Sequence, residues 1–193
     1  MSGEGEHQLE ILLTKEQIQQ RVAELGEKIS RDYAGVEELI MVAVLRGSVY
    51  FAVDLSRRLS IPFTLDFIGI SSYGATAYPL GVVRITKDLD FSITHKHVFL
   101  VEDIVDTGLT LNYLIKNLKT RNPQSLRVCT FLDLPGRRIV DVPVDYRGFE
   151  IPDCFVVGYG LDYQERYRNL EEVAVLKKRI RQQKTQIPTD FSG

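Results

Sequence analysis

The sequence predicts an α/β fold, a parallel sheet flanked by helices, on three observations. "ELIMVAVL" (38–45), "VFLVE" (98–102) and "LRVCTFL" (126–132) are near-continuous apolar runs of strand length, as expected where helices cover both faces of a sheet. Helical patterns fall between these runs, and alternation of the two element types implies parallel strands joined by right-handed crossovers. The chain has 193 residues, 44% hydrophobic and 26% charged, which is enough for one full core.

Taken in order, residues 1–8 read as a flexible start. Thr14, three residues before Gln17, has the spacing of a capping box. Ile18, Val22, Leu25 and Ile29 then recur at helical spacing until Tyr33-Ala34-Gly35 closes the element. The apolar run 38–45 is broken by Arg46-Gly47-Ser48, and 49–59 reads as the next helix. Residues 63–72 alternate like a strand, 72–81 form a loop of small residues, and 82–89 is a further strand. Strand 98–102 leads through a turn into a helix at about 110–120, and strand 126–132 into a Pro/Arg-rich connection. Residues 153–163 and 171–177 supply short strands late in the chain, with no internal repeat. The basic "KKRIRQQK" (177–184) reads as solvated surface.

Composition narrows the function classes. Net charge is −2 and the isoelectric point about 6.0, so no global basic field points to a nucleic-acid partner. Cys129 and Cys154 lack metal-ligand spacing and read as free thiols in a reducing compartment. The first residues lack the charge and apolar run of a signal peptide, and no stretch reaches the ~18 apolar residues of a membrane span. A cytoplasmic protein without membrane contact is expected.

The chemistry concentrates in "VFLVEDIVDTGLTL" (98–111). In a parallel sheet, ligands bind beyond the carboxyl ends of the strands, where Glu102, Asp103 and Asp106 fall. Asp106-Thr107-Gly108-Leu109-Thr110 then turns into a helix. Gly108 admits close backbone approach, the two threonines offer hydroxyls, and the first N–H groups of the helix are unpaired, so the turn is an anion seat. Acids beside such a seat suit a sugar phosphate, with Glu102 and Asp103 accepting from sugar hydroxyls or holding a divalent cation. The alternative is a strand end whose acids cap the helix, but a cap needs one side chain and here there are three acids. Neither Gly-x-Gly-x-x-Gly nor Gly-x-x-x-x-Gly-Lys-Ser/Thr is present.

This stretch resembles the phosphoribosyl-pyrophosphate (PRPP) signature of the type I phosphoribosyltransferases. "VLRGSVYFAVDL" (44–55), "SSYG" (71–74), "VRITKDLD" (83–90) and "GFEIPDCFVVGYGLDYQERYRNL" (148–170) follow in the order found in the hypoxanthine-guanine phosphoribosyltransferase family, over about residues 10–177. The resemblance implies a Rossmann-like parallel sheet with a small hood. It implies one domain over 9–177, the hood drawn from about 9–13 and 135–177, and a mobile basic tail at 178–193. It also implies Mg²⁺-dependent transfer of 5-phosphoribosyl from PRPP to a purine, giving the nucleotide and pyrophosphate, by a homodimer or homotetramer. Asp106 would be the general acid/base at the purine, and Glu102, Asp103 and Asp106–Thr110 (Leu109 included) the PRPP seat. Leu45, Arg46, Gly47 and Arg168 would hold pyrophosphate, and Glu102, Asp103 and Asp162 the metal. Ser72 and Tyr73 would belong to a mobile loop. Phe155 would stack on the purine and Val156 offer backbone to its edge. The Leu45–Arg46 peptide matches a position that is cis in the family.

One residue departs from that pattern. Where the family has a lysine that donates to the purine 6-oxo group, "LDLPGRR" has Leu134, which cannot donate. Leaving an oxo group facing dry hydrocarbon costs roughly 1–3 kcal/mol. Arg137 or Arg138 could substitute, or the base differs. Two alternatives therefore stand beside the salvage enzyme: a PRPP-dependent transferase with another base preference, and a PRPP- or nucleotide-sensing regulator.

Overall fold

Residues 7–73 and 82–178 are described in the computed structural model on which this account rests. Thr14 caps the first helix as its spacing predicts: its hydroxyl accepts from Gln17 N at 3.3 Å and the Gln17 side chain accepts from Thr14 N at 2.8 Å. That helix, α1 (Lys15–Asp32), follows a strand β1 (His7–Leu13). The expected loose start therefore reaches no further than residue 6, because residues 7–13 are paired along a strand late in the chain.

The continuous apolar run forms β2 (Leu39–Leu45), followed by α2 (Val49–Ser56), β3 (Thr64–Tyr73) and β4 (Val82–Lys87). Then come β5 (His97–Val105), α3 (Leu109–Lys119), β6 (Ser125–Asp133) and β7 (Tyr146–Glu150). The main sheet has six strands in the order β4-β3-β2-β5-β6-β7, all parallel except the edge strand β4. It is thus mixed rather than wholly parallel, because β3 and β4 are separated by only eight residues, fewer than a parallel crossover needs, and pair antiparallel.

Alternation sorts the side chains of the central strands. Leu39, Met41 and Ala43 of β2, with Phe99 and Val101 of β5, pack against α1 and α2. Ile40, Val42 and Val44, with Val98 and Leu100, pack against Leu111, Leu114, Ile115 and Leu118 of α3. Both faces of β2 and β5 are covered, which is why their sequences lack polar alternation.

A second, three-stranded sheet joins β1 to the end of the described chain, in the order β1-β9-β8, with β8 (Val156–Val157) and β9 (Val173–Lys178). Only two residues of the expected strand 153–163 are extended in a ladder, because Gly158, Tyr159 and Gly160 all have positive φ and turn the chain. Of residues 135–150, expected in the hood, Tyr146–Glu150 instead form β7, which extends the main sheet beyond β6. Among the described residues no helix is long and apolar enough to cross a membrane. The tail from 179 onward lies outside the described residues.

Candidate active site

The floor of the site is the end of β5. That strand does not stop at the acids; it carries them, with Glu102 opposite Thr130 and Ile104 opposite Leu132 of β6. Glu102 is buried and Asp103 half-buried. Burial, and then the charge of Asp103, push the Glu102 carboxyl well above the usual range. Burial also raises Asp103 to about 6, opposed by backbone N–H donors including Ile104 N at 2.9 Å and by Arg168, and reinforced by Asp162. Two acids crowded together, with Arg168 too weak to offset their burial, suit a site completed by a cation or by hydroxyl donors. Among the described residues no three carboxylate, imidazole or thiol groups converge on one point. A Mg²⁺ held here would use one or two of these carboxylates and take its remaining ligands from substrate oxygens and water, its usual habit.

The turn into α3 is where the sequence places the anion seat. Asp106 Oδ1 accepts from Thr107 N at 2.5 Å and Thr107 Oγ1 from Leu109 N at 3.4 Å. Gly108, at φ +80°, is the N-cap and lies where a side chain would meet Val140 O at 2.3 Å. Among the described residues no backbone acceptor takes the N–H of Gly108 or Thr110, which leaves both donors for a ligand.

The opposite wall comes from two places. After β2, the Leu45–Arg46 peptide is cis and Gly47 sits against the floor: a Cβ there would lie 1.6 Å from Asp103 Oδ2. From the hood, Arg168 pairs with Asp162 at 2.7 Å and donates to Gly160 O at 2.8 Å. Glu165 bridges the two cations of this wall, reaching Arg46 at 3.3 Å and Arg168 at 3.2 Å.

Between these parts lies an open cleft of about 320 Å³. Its lining includes Glu102, Asp103, Asp106, Gly108 and Thr110, together with Leu45, Arg46, Gly47, Asp162 and Arg168. Thr107 and Leu109 shape the turn without lining the cleft. Ser72 and Tyr73 are the last residues of β3, paired with Val83 and Val82 of the antiparallel β4, so their backbone is strand rather than loop. The remainder of that loop, 74–81, lies outside the described residues.

The three residues expected at the purine are not in the cleft lining. Phe155 is 50% exposed and meets the Tyr163 ring edge-on at 5.8 Å. Val156 is buried and paired with Val175, and Leu134 is buried in the core that also holds Ile151 and Val156. Of the two nearby arginines, Arg137 pairs through Nε with Asp153 at 2.5 Å, and Arg138 is engaged at its tip, by Asp133 and the Asp106 carbonyl. Sequence reasoning missed Asp133 and Glu165 and weighed Arg138 only as a donor to the base. The charged "LDLPGRR" beside a buried strand end was the available signal for the first and last.

Comparison with known proteins places this geometry. Residues 8–164 match the model of the phosphoribosyl transferase domain. The chain is 50% identical over 177 residues to the hypoxanthine-guanine phosphoribosyltransferase of Mycobacterium tuberculosis (strain CDC 1551 / Oshkosh), covering 89% of this chain and 88% of that one. To the hypoxanthine phosphoribosyltransferase of Haemophilus influenzae it is 48% identical over 166 residues, covering 85% and 93%. A crystal structure of a hypoxanthine-guanine phosphoribosyltransferase from Bacillus anthracis, with HEPES in its active site, superposes with a TM-score of 0.82 at 48% identity, covering 86% of this chain and 97% of that one.

Proposed function

Since this chain belongs to the phosphoribosyl transferase domain family, among the hypoxanthine-guanine phosphoribosyltransferases, we propose that it transfers 5-phosphoribosyl from PRPP to N9 of hypoxanthine or guanine. The single observation that carries this reading is the gathering of these parts in one cleft. Asp106, Gly108 and Thr110 of the turn into α3, the acids Glu102 and Asp103, and two arginines, Arg46 and Arg168, all line it. PRPP carries phosphates on a hydroxyl-bearing sugar, and this cleft brings N–H and guanidinium donors together with acids.

In the proposed reaction the C1′–N9 bond forms as the bond from C1′ to the pyrophosphate oxygen breaks, and the proton lost by the purine goes to the Asp106 carboxylate. The Gly108 and Thr110 N–H groups hold the 5′-phosphate. Glu102 and Asp103 accept from the ribose hydroxyls and lie beneath the sugar as positive charge develops on it. Arg46 and Arg168 receive the pyrophosphate. Mg²⁺ on Glu102, Asp103 or Asp162 would neutralise charge on the leaving pyrophosphate. Phe155, exposed beside Tyr163, offers a ring face for the purine, and Val156 its backbone. We further propose a cytoplasmic homodimer or homotetramer, on the family resemblance alone.

Leu134 favours a second reading on one point, the base. It is 2% exposed, and the tip of Arg138 is engaged by Asp133 and the Asp106 carbonyl. The test is pyrophosphate release from PRPP and Mg²⁺ with hypoxanthine, guanine, xanthine and adenine supplied separately. Turnover of hypoxanthine or guanine is expected. Turnover of another base alone would make Leu134 a specificity switch, and PRPP binding without any turnover would leave a sensor.

A further inference from the structure

The segment after β6 runs back along the anion seat and takes its carbonyls in succession. Leu134 N donates to Val105 O at 2.9 Å, Arg138 Nη1 to Asp106 O at 3.0 Å, and Ile139 N and Val140 N to Thr107 O at 2.9 and 3.0 Å. A carbonyl turned toward a bound phosphate would repel it, and a carbonyl held away leaves the neighbouring N–H groups for the ligand. Three of these four donors are backbone groups, insensitive to sequence. The fourth is a side chain, and it sits at Asp106.

Arg138 is not a loose surface residue. Its side chain is 15% exposed, and its other terminal nitrogen pairs with Asp133, which is 1% exposed at the end of β6 and also meets Arg147 at 2.7 Å. Asp133 thus anchors one edge of the guanidinium in the sheet while the other edge is presented to the Asp106 carbonyl. A planar fork can serve both partners at once, whereas an ammonium on a flexible stem is a point donor.

We propose that Arg138 is a positioning residue, clamped by Asp133, that fixes the Asp106 peptide so that the turn's N–H groups are aimed at the 5′-phosphate of PRPP and the Asp106 carboxylate at the proton of the purine. This rests on the function proposed above and adds a residue to it that touches no substrate.

The test compares the full-length wild type with Arg138→Lys, Arg138→Met and Asp133→Asn/Arg138→Met. Arg138→Lys keeps a cation for Asp133 but loses the fork. The double variant removes both charges, so that no buried carboxylate is stranded if Arg138→Met alone fails to fold. Each is assayed for melting temperature, PRPP affinity by calorimetry, and kcat with separate KM values for PRPP and for the purine the wild type uses best. In every variant that folds, PRPP affinity should fall at least tenfold, kcat should fall at least tenfold, and KM for the purine should stay within twofold. A lysine variant of wild-type melting temperature showing this split supports the fork. Wild-type kinetics in Arg138→Lys, or in the double variant, would overturn it, as would equal losses toward PRPP and purine. A wild type that binds PRPP but turns over no purine would sink the functional reading instead, and the PRPP affinities would still decide the clamp.

Discussion

Glu102 and Asp103 stand on a strand with parallel partners on both sides, whereas Asp162, Glu165 and Arg168 stand on turns closed by isolated bridges, Gly158 with Leu161 and Tyr163 with Arg166. On the first side the neighbours are core residues such as Val101 and Val105, at most 2% exposed. On the second, Gln164, Glu165 and Tyr167 have positive φ, and the Glu165 side chain is 67% exposed. The two walls of one cleft are therefore built differently. One places charge where it is costly and fixed, the other where it is cheap and movable. The difference would suit the proposed reaction, in which the phosphate that stays with the product is assigned to the fixed wall and the pyrophosphate that must leave to the movable one.

The largest expected effect tests the fixed wall. Asp106→Asn keeps shape and removes the proton acceptor, so kcat should fall by roughly 10²–10⁴, with the melting temperature unchanged in calorimetry. Wild-type turnover would remove Asp106 from the chemistry. Next, Gly47→Ala strikes where the walls touch, since its Cβ would lie 1.6 Å from Asp103 Oδ2 and force that carboxylate aside. A loss of about tenfold to a hundredfold in kcat/KM for PRPP is expected, because misplacement of this size disturbs productive alignment.

A third variant separates function from stability on the floor. Asp103 titrates at about 6 instead of its ordinary 3.8, so the folded protein is penalised for ionising it. That penalty is absent below pH ~4, grows between ~4 and ~6, and is full above. Asp103→Asn should therefore melt higher than wild type by about 2–4 °C at pH 8 and show no gain at pH 4, while binding Mg²⁺–PRPP less tightly. A gain at both pH values would assign the effect to something other than charge. The smallest effect is on the movable wall. Glu165→Gln weakens the anion that occupies Arg46 and Arg168 in the free protein. Inhibition by pyrophosphate should tighten about twofold to fivefold, the scale of exposed ion pairs. Weaker inhibition would mean that Glu165 orients the arginines rather than competing for them.

The same asymmetry decides what could be read from the sequence. The fixed wall is local: acids, threonines and a glycine lie within nine residues, and the apolar runs of β2 and β5 announced the sheet beneath them. The strand's true end at Val105 was hidden because Glu102 and Asp103 look like a boundary, yet their backbone stays paired with β6. β1 and β7 were missed for a related reason. "HQLEILL" and "YRGFE" carry little strand pattern of their own and are held by partners distant in sequence, β9 and β6. In the movable wall, Asp162 and Arg168 were identified through family resemblance, since no spacing marks residues set by turns of positive φ. The clamp through Asp133 and Arg138 joins neighbours in sequence, but its target, the Asp106 carbonyl, is a backbone atom that no residue pattern records.

The position of β5 has a consequence for how the molecule comes apart. Its flanking strands and its two covering layers make it the segment whose amides exchange with solvent most slowly, through global unfolding alone. The two-residue β8 and the turns that follow it are held by single turn hydrogen bonds and isolated bridges rather than by a long ladder on both sides, and should open in smaller excursions. On warming, the 156–170 region should take up deuterium while residues 98–105 remain protected. On the proposed assignment, binding of pyrophosphate and purine would then be lost before that of the ribose phosphate.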